Sequence, residues 1–263
     1  MLEHLADILH QTGKRLLDSR STGGFTYRRE GAVVSASVDM DAHHFLVRAL
    51  SALSPGVPVL SEEDSQGRTG ERPDLYWLID PLDGTASFVD GFPGFVTQAA
   101  LVRGHRPVLA GVYAPVSDET FLAESGGGAT RNGKRLRVEP RSADEWVLTD
   151  NYPAPRGIAA DLVHDWDIPG YLECGSIGLK ICRVAEGNAD LFVKDVPVRD
   201  WDVAAPQLVL EEAGGRLRDG AGRPFPYAGG FEHVGLIACA SADMVSSVAA
   251  WLKEREIQCP TLS

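Results

Sequence analysis

Sulfur-containing residues are scarce in this chain, which has four cysteines and three methionines among 263 residues. The cysteines are scattered and show no Cys-x-x-Cys spacing. Zinc ribbons, redox-active dithiols and small disulfide-rich scaffolds all need paired or abundant cysteines. We therefore expect reduced, partly buried thiols and favour neither zinc nor thiol chemistry; the four residues are Cys174, Cys182, Cys239 and Cys259.

Positive charge is also in short supply, because 25 lysines and arginines stand against 37 aspartates and glutamates, which gives a formal net charge of −12. An acidic protein does not bind nucleic-acid polymers or anionic membranes non-specifically. It can still bind a nucleotide through metal ions. The composition thus argues against a nucleic-acid polymer or a membrane as the partner.

Long apolar runs are missing, and no stretch of the sequence is long enough to span a bilayer. The first residues, Met1 to Asp7, carry acids where a secretory signal is basic and apolar. We therefore expect a cytoplasmic protein. With 44% hydrophobic residues, the chain can form one large domain or two fused lobes.

Hydrophobic periodicity divides the chain into two regions. Residues 1–148 begin with helical patterns, among them a helix from Met40 to Leu53, and continue in a run of strands. Residues 149–263 alternate strands with helices and end in a helix from Asp243 to Lys253. Thr149 to Pro169 is the least regular segment. We expect an N-terminal lobe over 1–148, which carries acidic motifs, and a C-terminal α/β lobe over 149–263, which closes the site.

The most informative stretch is the apolar run from Leu75 to Ile79 together with the motif that follows it, Asp80-Pro81-Leu82-Asp83-Gly84-Thr85. The run predicts a short buried strand, and ligands of α/β proteins bind where strands end. The proline fixes its own φ and donates no N–H, while the glycine lets the backbone approach a ligand closely. Two carboxylates, a carbonyl and a helix start suit a hard divalent cation beside a phosphate. A strand followed by a capped helix is the alternative interpretation.

Two further groups of acids follow predicted element ends. Ser61-Glu62-Glu63-Asp64 comes after the apolar strand Val57 to Leu60, and Asp200-Trp201-Asp202 opens a helix that runs to Gly214-Gly215. A capping role would explain Asp202 alone, since helix N-termini favour anions. Three separate acidic groups, each at the end of an element, are harder to explain by capping. Like charges that converge need a cation between them.

In order and spacing, these segments resemble the motif set of the inositol monophosphatase superfamily. That superfamily includes inositol monophosphatases, 3′(2′),5′-bisphosphate nucleotidases, type I fructose bisphosphatases and some histidinol-phosphate phosphatases. The resemblance covers most of the chain, from about Ser35 to Gly215, and its main motifs are Glu62-Glu63, Asp80-Pro81-Leu82-Asp83-Gly84-Thr85, Trp201-Asp202-Val203-Ala204-Ala205 and Glu212-Ala213-Gly214-Gly215. It implies an α+β fold, the layered α-β-α-β-α sandwich of the sugar-phosphatase type, with a metal site between the lobes.

The resemblance also implies a Mg²⁺-dependent phosphoric monoester hydrolase that acts on a small phosphorylated metabolite, with two or three Mg²⁺ in each active site. Glu62, Asp80 and the Leu82 carbonyl would bind one Mg²⁺, and Asp80, Asp83 and Asp202 would bind a second. Divalent metals neutralise the phosphate and make a water nucleophilic near neutral pH.

Further roles follow from the same resemblance. The backbone N–H groups of Gly84 and Thr85 would bind phosphate oxygens. The Thr85 hydroxyl, paired with Asp39, would orient or deprotonate the attacking water, with Glu62 as a further catalytic residue and Glu63 in support. Because Asp39 lies at the start of a predicted helix, helix capping is its alternative role.

One region departs from the family pattern. Relatives usually have a lysine followed by Asp-Gly-Ser-Pro-Val-Thr, whereas this chain has Arg28-Arg29-Glu30-Gly31-Ala32-Val33-Val34-Ser35. Arginine can replace lysine at a phosphate, although the two are not equivalent. This departure puts the third metal in question. The family further implies lithium inhibition and a homodimer.

Substrate signals in the sequence conflict. The residues after Thr85, Ala86-Ser87-Phe88-Val89, are similar to inositol and sugar phosphatases, whereas Leu179-Lys180-Ile181-Cys182 leans towards the nucleotidases. A polyol would need a carboxylate ahead of Asp202, and Asp195 or Asp200 could supply it. Basic groups would be needed for a second phosphate, and the candidates are Lys180, Lys194 and Arg199. Ser176 is a further candidate substrate contact.

We favour hydrolysis of a small polyol or sugar phosphate similar to inositol 1-phosphate, with 3′(2′),5′-bisphosphate nucleotidase activity as the alternative. A non-catalytic relative that binds a phosphometabolite or a protein partner is a third interpretation. Against it, each metal-binding position that can be aligned holds the expected residue type.

Overall fold

The computed structural model describes residues 1–31, 33–64 and 72–255. Seven α-helices lie within these ranges: α1 (Leu2–Thr22), α2 (Ser37–Leu53), α3 (Thr85–Val89), α4 (Ile158–Trp166), α5 (Ile177–Ala185), α6 (Asp200–Glu212) and α7 (Ala242–Glu254). None of these seven helices is long and apolar enough to cross a membrane.

Fourteen strands lie within the same ranges: β1 (Tyr27–Glu30), β2 (Val33–Ala36), β3 (Val59–Ser61), β4 (Leu75–Asp83), β5 (Val96–Arg103), β6 (Arg106–Ala114), β7 (Glu119–Glu124), β8 (Gly128–Arg131), β9 (Lys134–Arg135), β10 (Val147–Asp150), β11 (Gly170–Glu173), β12 (Leu191–Arg199), β13 (Arg216–Asp219) and β14 (Glu232–Cys239). β1 and β2 form an antiparallel hairpin. The other strands form one sheet of seven strands and one of five.

The seven-stranded sheet runs in chain order from β3 to β9. Its first two strands are parallel, with Ser61 opposite Ile79, and the remaining neighbours are antiparallel. The carboxyl ends of parallel strands meet at one edge of a sheet. This register therefore brings Glu62 beside Asp80.

The five-stranded sheet has the order β11-β10-β12-β14-β13. β10 pairs in parallel with β11 and β12, whereas β14 pairs antiparallel with β12 and β13. β12 ends at Arg199, and α6 begins at the next residue, Asp200. The end of this sheet thus fixes the start of α6, which carries Asp202.

Helices and sheets stack in five layers. α1 and α2 cover the outer face of the seven-stranded sheet through an apolar cluster that includes Leu46 and Trp77. α5 and α6 lie between the two sheets, where Val209 belongs to a second cluster. α4 and α7 cover the outer face of the five-stranded sheet, with Leu162 and Val248 in a third. The predicted α+β sandwich is confirmed by this arrangement of seven helices and two large sheets within the described residues.

Two of the predicted helices, α2 and α7, are present and extend slightly beyond their predicted ends. The structure corrects the expectation for Thr149 to Pro169, which contains α4. Nearby prolines and Gly157 obscure the helical signal, yet Ala159 and Leu162 bury one face of this helix. The lobe boundary after residue 148 stays a prediction.

The cysteines of the described residues are reduced and buried, as expected. Cys174, Cys182 and Cys239 are buried and free. Burial raises the pKa of each of these thiols above its ordinary value, which makes them poor nucleophiles. Cys259 lies outside the described residues.

Gly94 and Gly175 bring two backbone segments into direct contact. The Ser176 N–H donates to the Gly94 carbonyl at 2.6 Å. A Cβ on Gly175 would lie 2.0 Å from that carbonyl oxygen, so a larger residue does not fit. This contact joins the segment after α3 to the start of α5.

We expect Gly175→Ala to lower the free energy of unfolding by about 1–3 kcal/mol, because the added methyl group meets backbone that cannot move aside. Urea unfolding measures this loss. Gly230→Ala is the matched control, since a Cβ at Gly230 meets no atom within 4 Å. Equal losses for the two variants would contradict the steric argument.

Candidate active site

β4 ends in two buried carboxylates, Asp80 and Asp83. The pairing with β5 shifts register between them, and such irregularities redirect side chains at sheet ends. Asp80 Oδ1 accepts a hydrogen bond from the Leu82 N–H at 3.0 Å. Asp83 reaches the start of α5, where its carboxylate accepts the N–H groups of Gly178 at 2.6 Å and Ile177 at 3.3 Å.

Gly84 turns the chain from β4 into α3. Its φ of 92° is in the left-handed region, which side-chain-bearing residues rarely adopt. A Cβ there would also lie 3.0 Å from the Ser176 Cβ. The Thr85 hydroxyl donates to the Leu82 carbonyl oxygen at 3.2 Å. Conformation and space both require glycine at this turn, while phosphate binding by Gly84 and Thr85 stays a prediction.

Glu62 and Asp202 complete a group of four carboxylates, which we call the acidic group (Glu62, Asp80, Asp83 and Asp202). The Asp80 carboxyl group lies close enough to Glu62 to act on the pKa of the Glu62 carboxyl group. Asp202, on the first turn of α6, is repelled by Asp83 and Glu62. Acids from three separate segments of the chain therefore share one cleft.

Burial raises the pKa of all four carboxyl groups, and repulsion from neighbouring acids adds to this for Glu62, Asp80 and Asp202. The pKa of Asp202 rises to about 8. Without a cation, the cleft thus retains protons near neutral pH. Binding of a divalent cation would displace those protons, because metal ligands must be deprotonated.

The carboxylates do not already form a metal cage. Across residues 1–31, 33–64 and 72–255, no three Asp, Glu, His or Cys side chains are arranged closely enough to hold a metal ion. Backbone N–H groups occupy the oxygens instead; that of Arg199 donates to Asp202 Oδ2 at 2.8 Å. The donors still fit a hard divalent cation, because they are carboxylate oxygens, buried in Asp80 and Asp83 and half-buried in Glu62 and Asp202, whose charges repel one another. Metal binding by the acidic group and the Leu82 carbonyl stays a prediction.

Asp39 lies on the first turn of α2, where Glu63 repels its carboxylate. Its Oδ2 accepts the Ala36 N–H at 2.9 Å, as a capping residue does. Its Oδ1 is buried and has no hydrogen-bond partner among the described residues. Burial raises the pKa of Asp39 to about 7. The expected pairing with the Thr85 hydroxyl is not formed, because that hydroxyl donates to Leu82.

Two lysines stand beside the acidic group. Lys180, on α5, is fully buried, contacts Asn151 Oδ1 and places its Nζ 4.7 Å from the Phe192 ring centroid. Lys194, on β12, is half-buried. Both lysines lower the pKa of Asp83 against the larger, opposite effect of its burial. With Arg199, which lowers the pKa of Glu62 and Asp202, three cationic side chains therefore act on the cleft.

Two other candidate substrate contacts differ in their surroundings. Ser176 is buried, and its hydroxyl accepts the Leu179 N–H at 3.1 Å as the N-cap of α5. Asp195 is half-buried on β12. Ser176 thus has a structural role of its own, and substrate contact by either residue stays a prediction.

The expectation that Asp200 contacts the substrate is wrong. Its side chain is 0% exposed, and it forms an ion pair with Arg72 and a hydrogen-bonding contact with His233. A carboxylate enclosed by its own partners has no oxygen to offer a sugar hydroxyl.

Several residues near the site escape the sequence analysis. Gln98, on β5, is buried, and its Nε2 donates to the Trp201 carbonyl at 2.8 Å and to the Asp202 carbonyl at 3.3 Å. The sequence did offer one indication of its role, because Gln98 is a single amide side chain within a mostly apolar strand. Arg72 and His233 gave no such signal, because their roles come only from contacts with distant parts of the chain.

Comparison with known proteins adds independent findings. A model of the inositol monophosphatase family matches residues 4–252. The chain is 32% identical over 235 residues to the 3′(2′),5′-bisphosphate nucleotidase CysQ of Escherichia coli K12, covering 86% of this chain and 94% of that protein. It is 33% identical over 192 residues to the Nus factor SuhB of Pasteurella multocida, covering 70% of each. An IMPase from Thermotoga maritima has a TM-score of 0.81 at 26% identity, covering 97% of this chain and 98% of that one.

We expect the metal-free protein to lose stability between about pH 4 and about pH 7, partly through Asp39, whose unfolded pKa is about 4. Its folded pKa of about 7 is higher, so the folded state binds more protons and stability falls as pH rises. Asp39→Asn should reduce this slope by up to about 1 kcal/mol per pH unit. Chemical unfolding in EDTA at several pH values measures the slope, and parallel curves for variant and wild type would refute the assignment.

We expect Mg²⁺ to stabilise the folded protein by about 2–3 kcal/mol at a concentration 100-fold above its Kd. Asp83→Asn and Asp202→Asn should each fold but lose most of this gain, because each removes one charged ligand. Their kcat should fall on the order of 10³-fold. Thermal melts with and without Mg²⁺ measure the first effect. Asp7→Asn is the control, because it removes one carboxylate charge at an exposed position. If Mg²⁺ stabilises the Asp83 or Asp202 variant as much as the wild type, the replaced residue is not a ligand.

Proposed function

We propose that this chain, which belongs to the inositol monophosphatase family, is a Mg²⁺-dependent 3′(2′),5′-bisphosphate nucleotidase. As a family member it is a metal-dependent phosphoric monoester hydrolase. The proposal concerns the substrate. It replaces the polyol phosphate that the sequence analysis favoured. In the proposed reaction, water attacks one phosphorus of a nucleoside bisphosphate, and the sugar oxygen leaves.

One observation carries this choice of substrate: Lys180 and Lys194 both act on Asp83 at the edge of the cleft. Metal ions balance the charge of the phosphate that is hydrolysed. A simple polyol phosphate offers no second anion to these two lysines. A bisphosphate does, and ammonium groups bind phosphate oxygens through charge-assisted hydrogen bonds. The similarity to bisphosphate nucleotidases supports the same choice.

Each part of the site has a role in this proposal. Bound Mg²⁺ supplies charge neutralisation and an activated water. The acidic group and the Leu82 carbonyl would hold it, and the N–H groups at the start of α3 would orient the phosphate oxygens. Asp39 Oδ1 would take a proton from the water. The Thr85 hydroxyl would relay this proton after it has exchanged its hydrogen bond to the Leu82 carbonyl for one to Asp39.

A small polyol or sugar phosphate is the second candidate, and Asp195 is the residue in its favour. It is a half-buried carboxylate on β12, next to Lys194 and ahead of Asp202. Carboxylates accept hydrogen bonds from sugar hydroxyls. Lithium inhibition, a third Mg²⁺, a homodimer and a cytoplasmic location remain predictions from the family resemblance.

We expect Lys180→Met and Lys194→Gln each to lower kcat/KM for adenosine 3′,5′-bisphosphate by about ten- to a hundredfold, because each removes a charged donor to the second phosphate. Hydrolysis of p-nitrophenyl phosphate should hardly change. Assays of both substrates at saturating Mg²⁺ measure the difference. Lys253→Gln, an exposed change on α7, is the control.

Two results would overturn the choice of substrate. Equal losses on both substrates would mean that the lysines only support the acidic group. Faster hydrolysis of inositol 1-phosphate, reduced selectively by Asp195→Asn, would establish the polyol reading.

A further inference from the structure

Arg72 and Asp200 form a buried ion pair beside the acidic group but outside it. Their side chains are 3% and 0% exposed. His233 adds a second contact, with its Nε2 2.5 Å from Asp200 Oδ1. Charges removed from water are costly unless their hydrogen bonds are satisfied. The position of this pair therefore needs an explanation.

Every side of the Arg72 guanidinium is engaged. It donates to the carbonyls of Gly230 at 2.6 Å and Gly229 at 3.3 Å, and to the Tyr76 hydroxyl at 3.3 Å. Its carbon lies 4.0 Å from the Phe231 ring centroid. These contacts fix the orientation of the guanidinium, and a planar fork held in this way fixes the carboxylate that it binds.

The pair joins the segment just before β4 to the first residue of α6. Arg72 lies just before β4, which ends in Asp80 and Asp83. Asp200 is the first residue of α6 and shares its first turn with Asp202. The Asp200 N–H also donates to the Phe231 carbonyl at 2.9 Å, so both its backbone and its side chain are anchored.

The charges of the acidic group make this anchor relevant to a cation. A cation needs the carboxylates deprotonated, deprotonated carboxylates repel one another, and without a tie the start of α6 could move away from β4. A cation would then have to draw it back, and that reorganisation would weaken binding. A rigid ion pair outside the cleft, such as Arg72–Asp200, avoids this reorganisation when a cation binds.

We propose that Arg72, Asp200 and His233 are positioning residues that hold Asp202 at its distance from Asp80 and Asp83 before a cation binds. The proposal rests on the proposed function only in taking these acids as Mg²⁺ ligands. It gives the three residues an effect on metal affinity, although none of them contacts the metal or the substrate. Loss of comparable supporting contacts at metal sites lowers affinity by about ten- to a hundredfold.

The test is the Mg²⁺ Kd of the full chain, measured by isothermal titration calorimetry, together with kcat on p-nitrophenyl phosphate at saturating Mg²⁺. Arg72→Met should weaken Mg²⁺ binding by about ten- to a hundredfold, and kcat at saturation should fall less than Kd rises. Arg72→Lys should recover part of the affinity. Arg141→Met is the matched control, because it breaks another pair with a buried aspartate, Asp190, at 2.9 Å; it should lower stability and leave Kd unchanged.

His233→Leu provides a second variant, which keeps the Arg72–Asp200 pair. It serves as the test if Arg72→Met does not fold. It should weaken Mg²⁺ binding by a smaller factor. Wild-type affinity in folded Arg72→Met or His233→Leu protein overturns the positioning role and leaves the proposed function intact. Absence of Mg²⁺ binding to the wild-type protein overturns both, so the two failures are distinguishable.

Discussion

Repulsion among buried carboxylates is the interaction on which the rest of this structure depends. Four acids meet in one cleft, where Asp80 and Asp83 are buried and Glu62 and Asp202 are half-buried, and partial removal from water raises the pKa of each. The fold balances them with backbone N–H groups and with two lysines beside Asp83. Such a cleft is costly to build for stability alone, because hydrophobic residues of similar size would pack there without repulsion. Its chemistry therefore points to ligand binding.

The layered architecture supplies the rigidity that this cleft needs. β3 and β4 fix two acids through their parallel register, and β12 fixes the start of α6. Gln98 then ties α6 to the seven-stranded sheet, and the contact of Gly94 with Gly175 ties α5 to the same region. Each acid thus lies on or directly after an element that is packed into the layered structure.

Local pattern was sufficient to predict much of the site. The acids at the ends of β3 and β4 follow apolar runs, and Gly84 stands where a left-handed turn is needed. Long-range contacts were beyond such reasoning. Asp200 looked like an exposed acid at a helix start, but its burial depends on Arg72 and His233, which lie far away in sequence. α4 was missed for a different reason, since nearby prolines and Gly157 outweighed a weak helical pattern.

The sequence separation of the acids has a consequence for how the molecule folds. Glu62, Asp80 and Asp83 come from the first half of the chain, whereas Asp202 lies on α6, which follows β12 in the second half. Contacts between such distant segments form late, because closing a long loop costs entropy before it gains any stabilisation. A chain still emerging from the ribosome holds no complete acidic group until α6 has been synthesised. A cation that needs all four acids would therefore bind only at the end of folding, to a structure that the polypeptide has already assembled.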